Sequence, residues 1–311
     1  MRGITLKQPV FVVGHPRSGT TLLATVLGRH SLLAMPPETQ YLIEQASLDG
    51  HRLGAEDLDA ILANPRIADL GLDRDAVQAA FAATDRSFCA AFAVLLDIYR
   101  RQCGKPRAGE KSPMHLAHAE RLLEWFPDAR ILCIERNGAD VIASLMRMPW
   151  SHRIIRRHGY DWLQSLRRGR ALEARHSAQA MRVRYERLTG APEAEIRQIC
   201  AFCGLPFEPS MLSPGAAGTV PDWERGWKAD AARPIAPARG GGAAGLGRWQ
   251  RAELAAICNR ELRAAGYPPV AAPTLLRLLA RLTVWPYHPA LRPVFARIRA
   301  FVRRRTARWT S

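Results

Sequence analysis

The stretch FVVGHPRSGTTLLATVLGRH, residues 11 to 30, restricts the fold more than any other part of the chain. PVFVV (9 to 13) is a β-branched and aromatic run ending at Gly14, the pattern of a buried parallel strand. An apolar helical run over residues 19 to 29 follows, with two hydroxyl residues in its first turn. A strand that passes through a glycine-containing loop into a helix aims backbone N–H groups and the positive end of the helix dipole at one point, which suits an anion. Gly14 and Gly19 have the spacing of the triphosphate loop G-x-x-x-x-G-K-[ST], yet Thr20 stands in the lysine position. That lysine reaches the β- and γ-phosphates, so its replacement argues against ATP or GTP hydrolysis. Arg17 supplies a cation inside the loop instead, and a planar guanidinium can fork onto two oxygens of one tetrahedral anion.

Further along, PRAGEKSP (106 to 113) reads as a short polar strand or strand end, followed by an amphipathic helix, HLAHAERLLEWF, that stops at Pro127. ARILCIERN is a second buried strand and ADVIASLMRM the helix leaving it. AMRVRYERL is a further strand, ahead of the helix PEAEIRQICAFCGL with Pro192 in its first turn. This alternation predicts an α/β fold with a central parallel β-sheet flanked by helices. Residues 53 to 104 read as a helical insertion, PARGGGAAGLGRW (237 to 249) as an irregular loop, and RAELAAICNRELRAAGY as a helix. The expected domain spans 1 to 270, with a basic helical tail over 271 to 311.

A formal net charge of +17 on 311 residues implies an anionic cofactor, substrate or surface. The first ten residues hold no apolar segment of signal-peptide length, and no apolar run is long enough to span a bilayer, so a cytoplasmic location is expected. Six scattered cysteines suit reduced, buried thiols. Cys200 and Cys203 form a C-x-x-C pair without a second pair, which fits core packing better than a metal site, and no metal is expected.

Several segments together resemble the sulfotransferase superfamily that uses 3′-phosphoadenosine 5′-phosphosulfate (PAPS). GHPRSGTTLL resembles its 5′-phosphosulfate loop, which would engage Arg17, Ser18, Gly19, Thr20 and Thr21. ERNGADVIASLMRM is similar to its 3′-phosphate segment, an arginine at a strand end (Arg136) with a serine eight residues on (Ser144). RYERLTGAPEAEIRQICAFCGLPF resembles its RYE-x-L strand followed by the helix ending in Gly-Leu-Pro, which places Tyr185 near the nucleotide. GRW at 247 to 249 is similar to the late basic loop over the cofactor, and Arg248 would contact it. The resemblance covers about residues 9 to 267 and lies closer to the tyrosylprotein, Golgi and bacterial branches than to the cytosolic one.

Sulfuryl transfer needs cations for the charge on the moving group and a base for the acceptor proton, by analogy with phosphoryl transfer. Three residues could serve as base. Glu38 in MPPETQYL lies one helix and a turn after Arg17, and its surroundings are similar to those of the tyrosylprotein and Golgi glutamate base. Glu110 in GEKSPMH is the second candidate. His115 is the third, although the position matching the cytosolic branch's histidine is Pro113. Lys111 would face the leaving group. The acceptor would be a small molecule, lipid, glycan or peptide with a hydroxyl, and second to that an amine.

Two other readings compete. A nucleotide kinase or other P-loop NTPase is opposed by Thr20. A non-enzymatic anion or nucleic-acid binder rests on net charge alone, and much of the excess charge lies in the last fifty residues rather than along an aromatic-lined groove. Residues 262 to 311 contain ten arginines and no acidic residue. In 274 to 309, Leu, Phe, Val and Trp interleave with arginine at helical intervals, broken at Pro286 to Pro293. That is the pattern of an interfacial helix on an anionic membrane, or equally of a stripe packed on the enzyme's own core with its arginines in solvent, and no nucleic-acid role is expected.

Overall fold

The computed structural model describes residues 6–213, 235–237 and 240–284. The chain forms two compact units, one from residues 1–136 with 165–239 and the other from 137–164 with 240–311.

The first unit holds a parallel five-stranded sheet in the order β2-β3-β1-β4-β5. Its strands are β1 (Val10–Gly14), β2 (Leu33–Ala34), β3 (Arg107–Lys111), β4 (Arg130–Glu135) and β5 (Ala180–Arg184). β1 lies between β3 and β4, with Val12 opposite Lys111 and Gly14 opposite Ile134. Because β1 is buried on both faces, its alternating side chains feed two cores. Phe11 and Val13 join Ile131 and Cys133 in one, while Val10 and Val12 join Leu132, Ile134 and Val183 in the other.

The second of these cores is closed by α1 (Thr20–Gly28) through Leu23, Val26 and Leu27, and by the later helix Pro192–Cys203 through Ile196 and Ile199. The first core is closed by the helical stretch expected at 53 to 104. After the short α2 (Tyr41–Glu44), that stretch forms α3 (Ala55–Ala63), α4 (Pro65–Ala68), α5 (Arg74–Ala82) and α6 (Phe88–Gln102). Phe92 of α6 stacks 6.3 Å from Phe11 and 4.7 Å from Tyr41.

The helix expected over HLAHAERLLEWF is split. Pro113–His118 is a 3₁₀ segment, and α7 (Ala119–Trp125) begins only after it. The strand expected over AMRVRYERL stops at Arg184, and Tyr185 opens the short α-helix Tyr185–Gly190. Cys200 and Cys203 are buried, and Cys200 Sγ lies 3.6 Å from Met211 Sδ. Burial pushes the Cys203 thiol up to about 12, as suits a packed, inert side chain.

In the second unit, helix Gly138–Leu145 leaves the segment after β4, and helices Arg248–Ala264 and Thr274–Val284 pack together. Asn259 holds Val270 through both side-chain ends, at 2.7 and 3.0 Å, and Thr283 donates to Glu253. Residues up to Val284 therefore belong with the helix that precedes residue 270. The helix Ile155–Arg175, which the sequence reading did not anticipate, is divided between the units at residues 164 and 165. Of the two tail helices expected, Thr274–Val284 is the first, and the second lies outside the described residues. Among the described residues no helix is long and apolar enough to cross a membrane.

Candidate active site

All five strands run the same way, so the residues that follow them gather at one edge of the sheet, where open α/β sheets take their ligands. The loop from Gly14 to Gly19 follows β1, Glu38 lies beyond β2, Lys111 ends β3, Arg136 follows β4 and Tyr185 follows β5. The sequence named each of these positions, and the sheet order β2-β3-β1-β4-β5 lines them up.

The loop after β1 is held in a conformation that few side chains tolerate. Arg17 has φ 70° and Gly19 has φ 101°, both in the left-handed region. Glycine at 19 is also required by crowding, because a Cβ there would stand 2.3 Å from Tyr185 Cδ2. Tyr185 thus presses on the start of α1, and Arg136 lies over its ring at 4.2 Å from the centroid. Arg136 Nη1 also donates to the Arg17 carbonyl at 3.4 Å. Arg17, Gly19, Arg136 and Tyr185 therefore form one cluster.

Helix α1 begins at Gly19 with no side-chain cap and no acidic residue in its first turn. Ser18, only 1% exposed, has a hydroxyl with no hydrogen-bond partner. A buried hydroxyl left unpaired costs about 1–3 kcal/mol, so its position beside an uncapped helix start calls for an acceptor. These features fit the phosphosulfate end of PAPS: an anion there would meet Ser18, the amides at Gly19, Thr20 and Thr21, and the dipole of α1.

Across β3, the three candidate bases separate by environment. Glu38 Oε2 accepts from Lys111 Nζ at 2.5 Å, and Oε1 accepts from Gln40 Nε2 at 2.7 Å. Lys111 is almost wholly buried, so the pair stands in a low-dielectric setting where orientation is well defined. Glu110 is fully buried behind it. Its Oε1 accepts from Thr39 Oγ1 at 2.8 Å and Ser112 Oγ at 2.5 Å, and its Oε2 accepts from His115 Nδ1 at 3.1 Å. Burial pushes the Glu110 carboxyl up, but His115 beside it and the hydrogen bonds from His115, Ser112 and Thr39 outweigh that and hold it below the usual carboxylate range. His115 Nε2 accepts the Leu42 amide at 3.1 Å, which fixes the proton on Nδ1 and engages both ring nitrogens.

Sequence reasoning listed Glu110 and His115 as separate alternatives. It missed that they form one network, and it missed Thr39, Ser112 and Gln40 entirely. The short polar run EKSPMH opposite PETQYL held the signal, but nothing in one sequence pairs residues about seventy positions apart. In the second unit, Ser144 is buried on Gly138–Leu145. Arg248, expected in a loop, is instead the first residue of helix Arg248–Ala264, whose preceding Gly247 N–H donates to Gln250 Oε1 at 3.0 Å.

The sequence model of the Sulfotransferase family matches residues 9–209. A protein-tyrosine sulfotransferase of Drosophila melanogaster is 27% identical over 215 residues, 65% of this chain and 39% of its own length. An uncharacterized protein of Aquifex aeolicus is 27% identical over 224 residues, 68% of this chain and 27% of its own length. The chain thus spans well under half the length of either relative. Among solved structures, the sulfotransferase domain from the curacin biosynthetic pathway shares the fold, with a TM-score of 0.50, 23% identity and coverage of 75% of this chain and 85% of that one. With the family model matched over 201 of 311 residues, from β1 to the segment beyond helix Pro192–Cys203, the chain belongs to the sulfotransferase family.

Proposed function

We propose that this chain is a PAPS-dependent sulfotransferase that moves a sulfuryl group onto an acceptor hydroxyl by in-line displacement, with Glu38 as general base. The observation that carries the reading is the Glu38–Lys111 pair on the sheet edge that also holds the uncapped, arginine-bearing loop before α1. PAPS supplies a sulfuryl group whose oxygens carry the charge, so the chain has to contribute position, cations and a proton acceptor. Arg17 and the amides of Gly19, Thr20 and Thr21 bind the 5′ end, together with the Ser18 hydroxyl. Arg136 takes the 3′-phosphate, and Tyr185 sets its guanidinium. Glu38 removes the acceptor proton, and Lys111, already at its carboxylate, neutralises the oxygen that leaves. Ser144 and Arg248 enter through the resemblance of their segments alone.

None of these roles asks for a divalent metal, and the catalytic part is assigned to residues 1 to 270. The acceptor is a small molecule, lipid, glycan or peptide bearing a hydroxyl. The test is labelled PAPS incubated with the full chain and a cell extract, followed by identification of the labelled product. Transfer to a hydroxyl supports the reading. Absence of transfer, together with preference for ATP over 3′-phosphoadenosine 5′-phosphate (PAP), would return the chain to the nucleotide-kinase alternative.

A second element concerns location: a cytoplasmic protein that docks on anionic membrane through residues 274 to 309. Helix Thr274–Val284 buries Ala280 and Val284, yet Leu275, Leu278, Leu279 and Leu282 on its other side are 45–76% exposed. Spacing of i, i+3, i+4 and i+7 makes them one stripe, beside Arg277 and Arg281 in a segment without acids. Leu278→Glu with Leu282→Glu should abolish co-sedimentation with vesicles containing phosphatidylserine at low salt. Unchanged sedimentation contradicts docking through this helix, and equal binding to neutral vesicles contradicts a preference for anionic membrane.

A further inference from the structure

We propose that Glu110 is a positioning residue, which fixes the backbone carrying Glu38 without itself touching substrate. The inference rests on Glu38 being the base.

Four successive amides after Glu38 donate to side chains. Thr39 N donates to Glu110 Oε1 at 3.4 Å, Gln40 N to Ser112 Oγ at 2.8 Å, Tyr41 N to Thr39 Oγ1 at 3.3 Å and Leu42 N to His115 Nε2 at 3.1 Å. Behind these acceptors stands one carboxylate. Ser112 and Thr39 spend their hydroxyl hydrogens on Glu110, so their oxygens turn lone pairs toward the amides. His115 spends its Nδ1 hydrogen on the same carboxylate, which leaves Nε2 to accept from Leu42. Glu110 thereby sets the polarity of the side-chain acceptors that meet the amides of residues 39 to 42.

The anchoring opposes a strained backbone. Gln40 has φ 46°, a left-handed conformation that is unfavourable for a non-glycine residue. Its side chain holds Glu38 Oε1 at 2.7 Å. If the anchors relax, Gln40 returns to an ordinary conformation and Glu38 loses its place against Lys111. A buried carboxylate is a poor stabiliser compared with apolar packing, so its presence here is explained by orientation. Glutamine at 110 keeps the shape but has an amide group as donor where only acceptors fit. It must face either the Nδ1 hydrogen of His115 or the two hydroxyl hydrogens, and one set of contacts inverts.

The experiment uses the full chain and its Glu110→Gln, Ser112→Ala, Glu38→Gln and Glu38→Gln/Glu110→Gln variants. Three quantities are read: PAP affinity by calorimetry, label transfer from saturating PAPS to a cell extract, and amide exchange at residues 39 to 42. Glu110→Gln should slow transfer roughly 10- to 100-fold, the scale of a misplaced reacting group. PAP affinity should stay within about twofold, and exchange at 39 to 42 should quicken. Ser112→Ala, the milder change, should move the same readouts by a smaller factor and decides the matter if Glu110→Gln does not fold. The double variant should be no slower than Glu38→Gln, because both act on one step. Parallel loss of PAP affinity, additive losses in the double variant, or wild-type transfer in both Glu110→Gln and Ser112→Ala overturns the inference while Glu38 remains the base. A Glu38→Gln variant with full activity removes the base assignment itself, and this inference with it.

Discussion

Helices α1 and α2 both start from a left-handed residue at the same edge of the sheet, Gly19 at φ 101° and Gln40 at φ 46°, and neither has a side-chain cap on its N-cap residue. They differ in what meets them. The amides from Thr39 to Leu42 are met by Glu110, Ser112, Thr39 and His115. At α1 the residue before the N-cap glycine, Ser18, is buried with its hydroxyl unpaired. Under the proposed function, closure at α2 is what a platform for the Glu38 base requires, and openness at α1 is what a receptor for an anion requires. Two similar local geometries thus acquire opposite roles from the side chains placed against them.

The largest expected effect comes from breaking the open site. Arg17→Ala should lower PAP affinity roughly a hundredfold or more, since two charge-assisted hydrogen bonds at about 1.5–3 kcal/mol each are lost, and transfer should fall with it. Calorimetry with PAP checks this; affinity within threefold of wild type would remove Arg17 from the anion site. Glu38→Gln acts on the closed side only. It should cut transfer roughly a hundredfold, the scale for losing a general base, with PAP affinity nearly intact.

Gly19→Ala sharpens the contrast from the covalent side. The added Cβ meets the Tyr185 ring, so the variant should lose about 1–3 kcal/mol in thermal denaturation, as overpacked sites do, and bind PAP more weakly. Gly50→Ala, at φ 83° but with open space around its Cβ, gives the control for the backbone cost alone.

The smallest effect is a pH dependence at the closed site. Folding holds the Glu110 carboxyl below its ordinary value of 4.5, so the unfolded chain takes up that proton first. Its contribution to stability is present above that value and is lost as the pH falls through the lower folded value. Melting temperatures measured from pH 6 to 3 should therefore fall more steeply below about 4.5 in the wild type than in Glu110→Gln. Parallel curves would show that this carboxyl is not the titrating group.

The sheet was legible wherever apolar residues run unbroken up to a glycine or a charged strand end, as in β1 and β4. The loop before α1 was legible through its two glycines and internal arginine. What escaped has a physical cause in each case. β2 is two residues long and has no period to detect. The helix Ile155–Arg175 carries many arginines, and its buried Ile155, Trp162, Leu163, Leu166 and Leu172 recur at helical spacing only when the charges are disregarded. Tyr185 looked like a strand residue because it continues a strand-like run, but the chain turns there into a helix that lets the ring reach Gly19. The split before α7 falls at a 3₁₀ turn that Pro113 opens, where the His115 ring is held between Glu110 and the Leu42 amide. The Glu110 network was invisible as a network, since its members lie on segments distant in sequence that the pairing of β2 with β3 brings together.

The most direct test of an open anion receptor beside a closed catalytic platform is calorimetric titration of PAP into the full chain in EDTA, repeated with ATP and with the Glu38→Gln variant. One PAP site is expected, with binding that survives chelation and the Glu38→Gln change and a weaker response to ATP. PAP binding that disappears on chelation, or that disappears in Glu38→Gln, would contradict this arrangement.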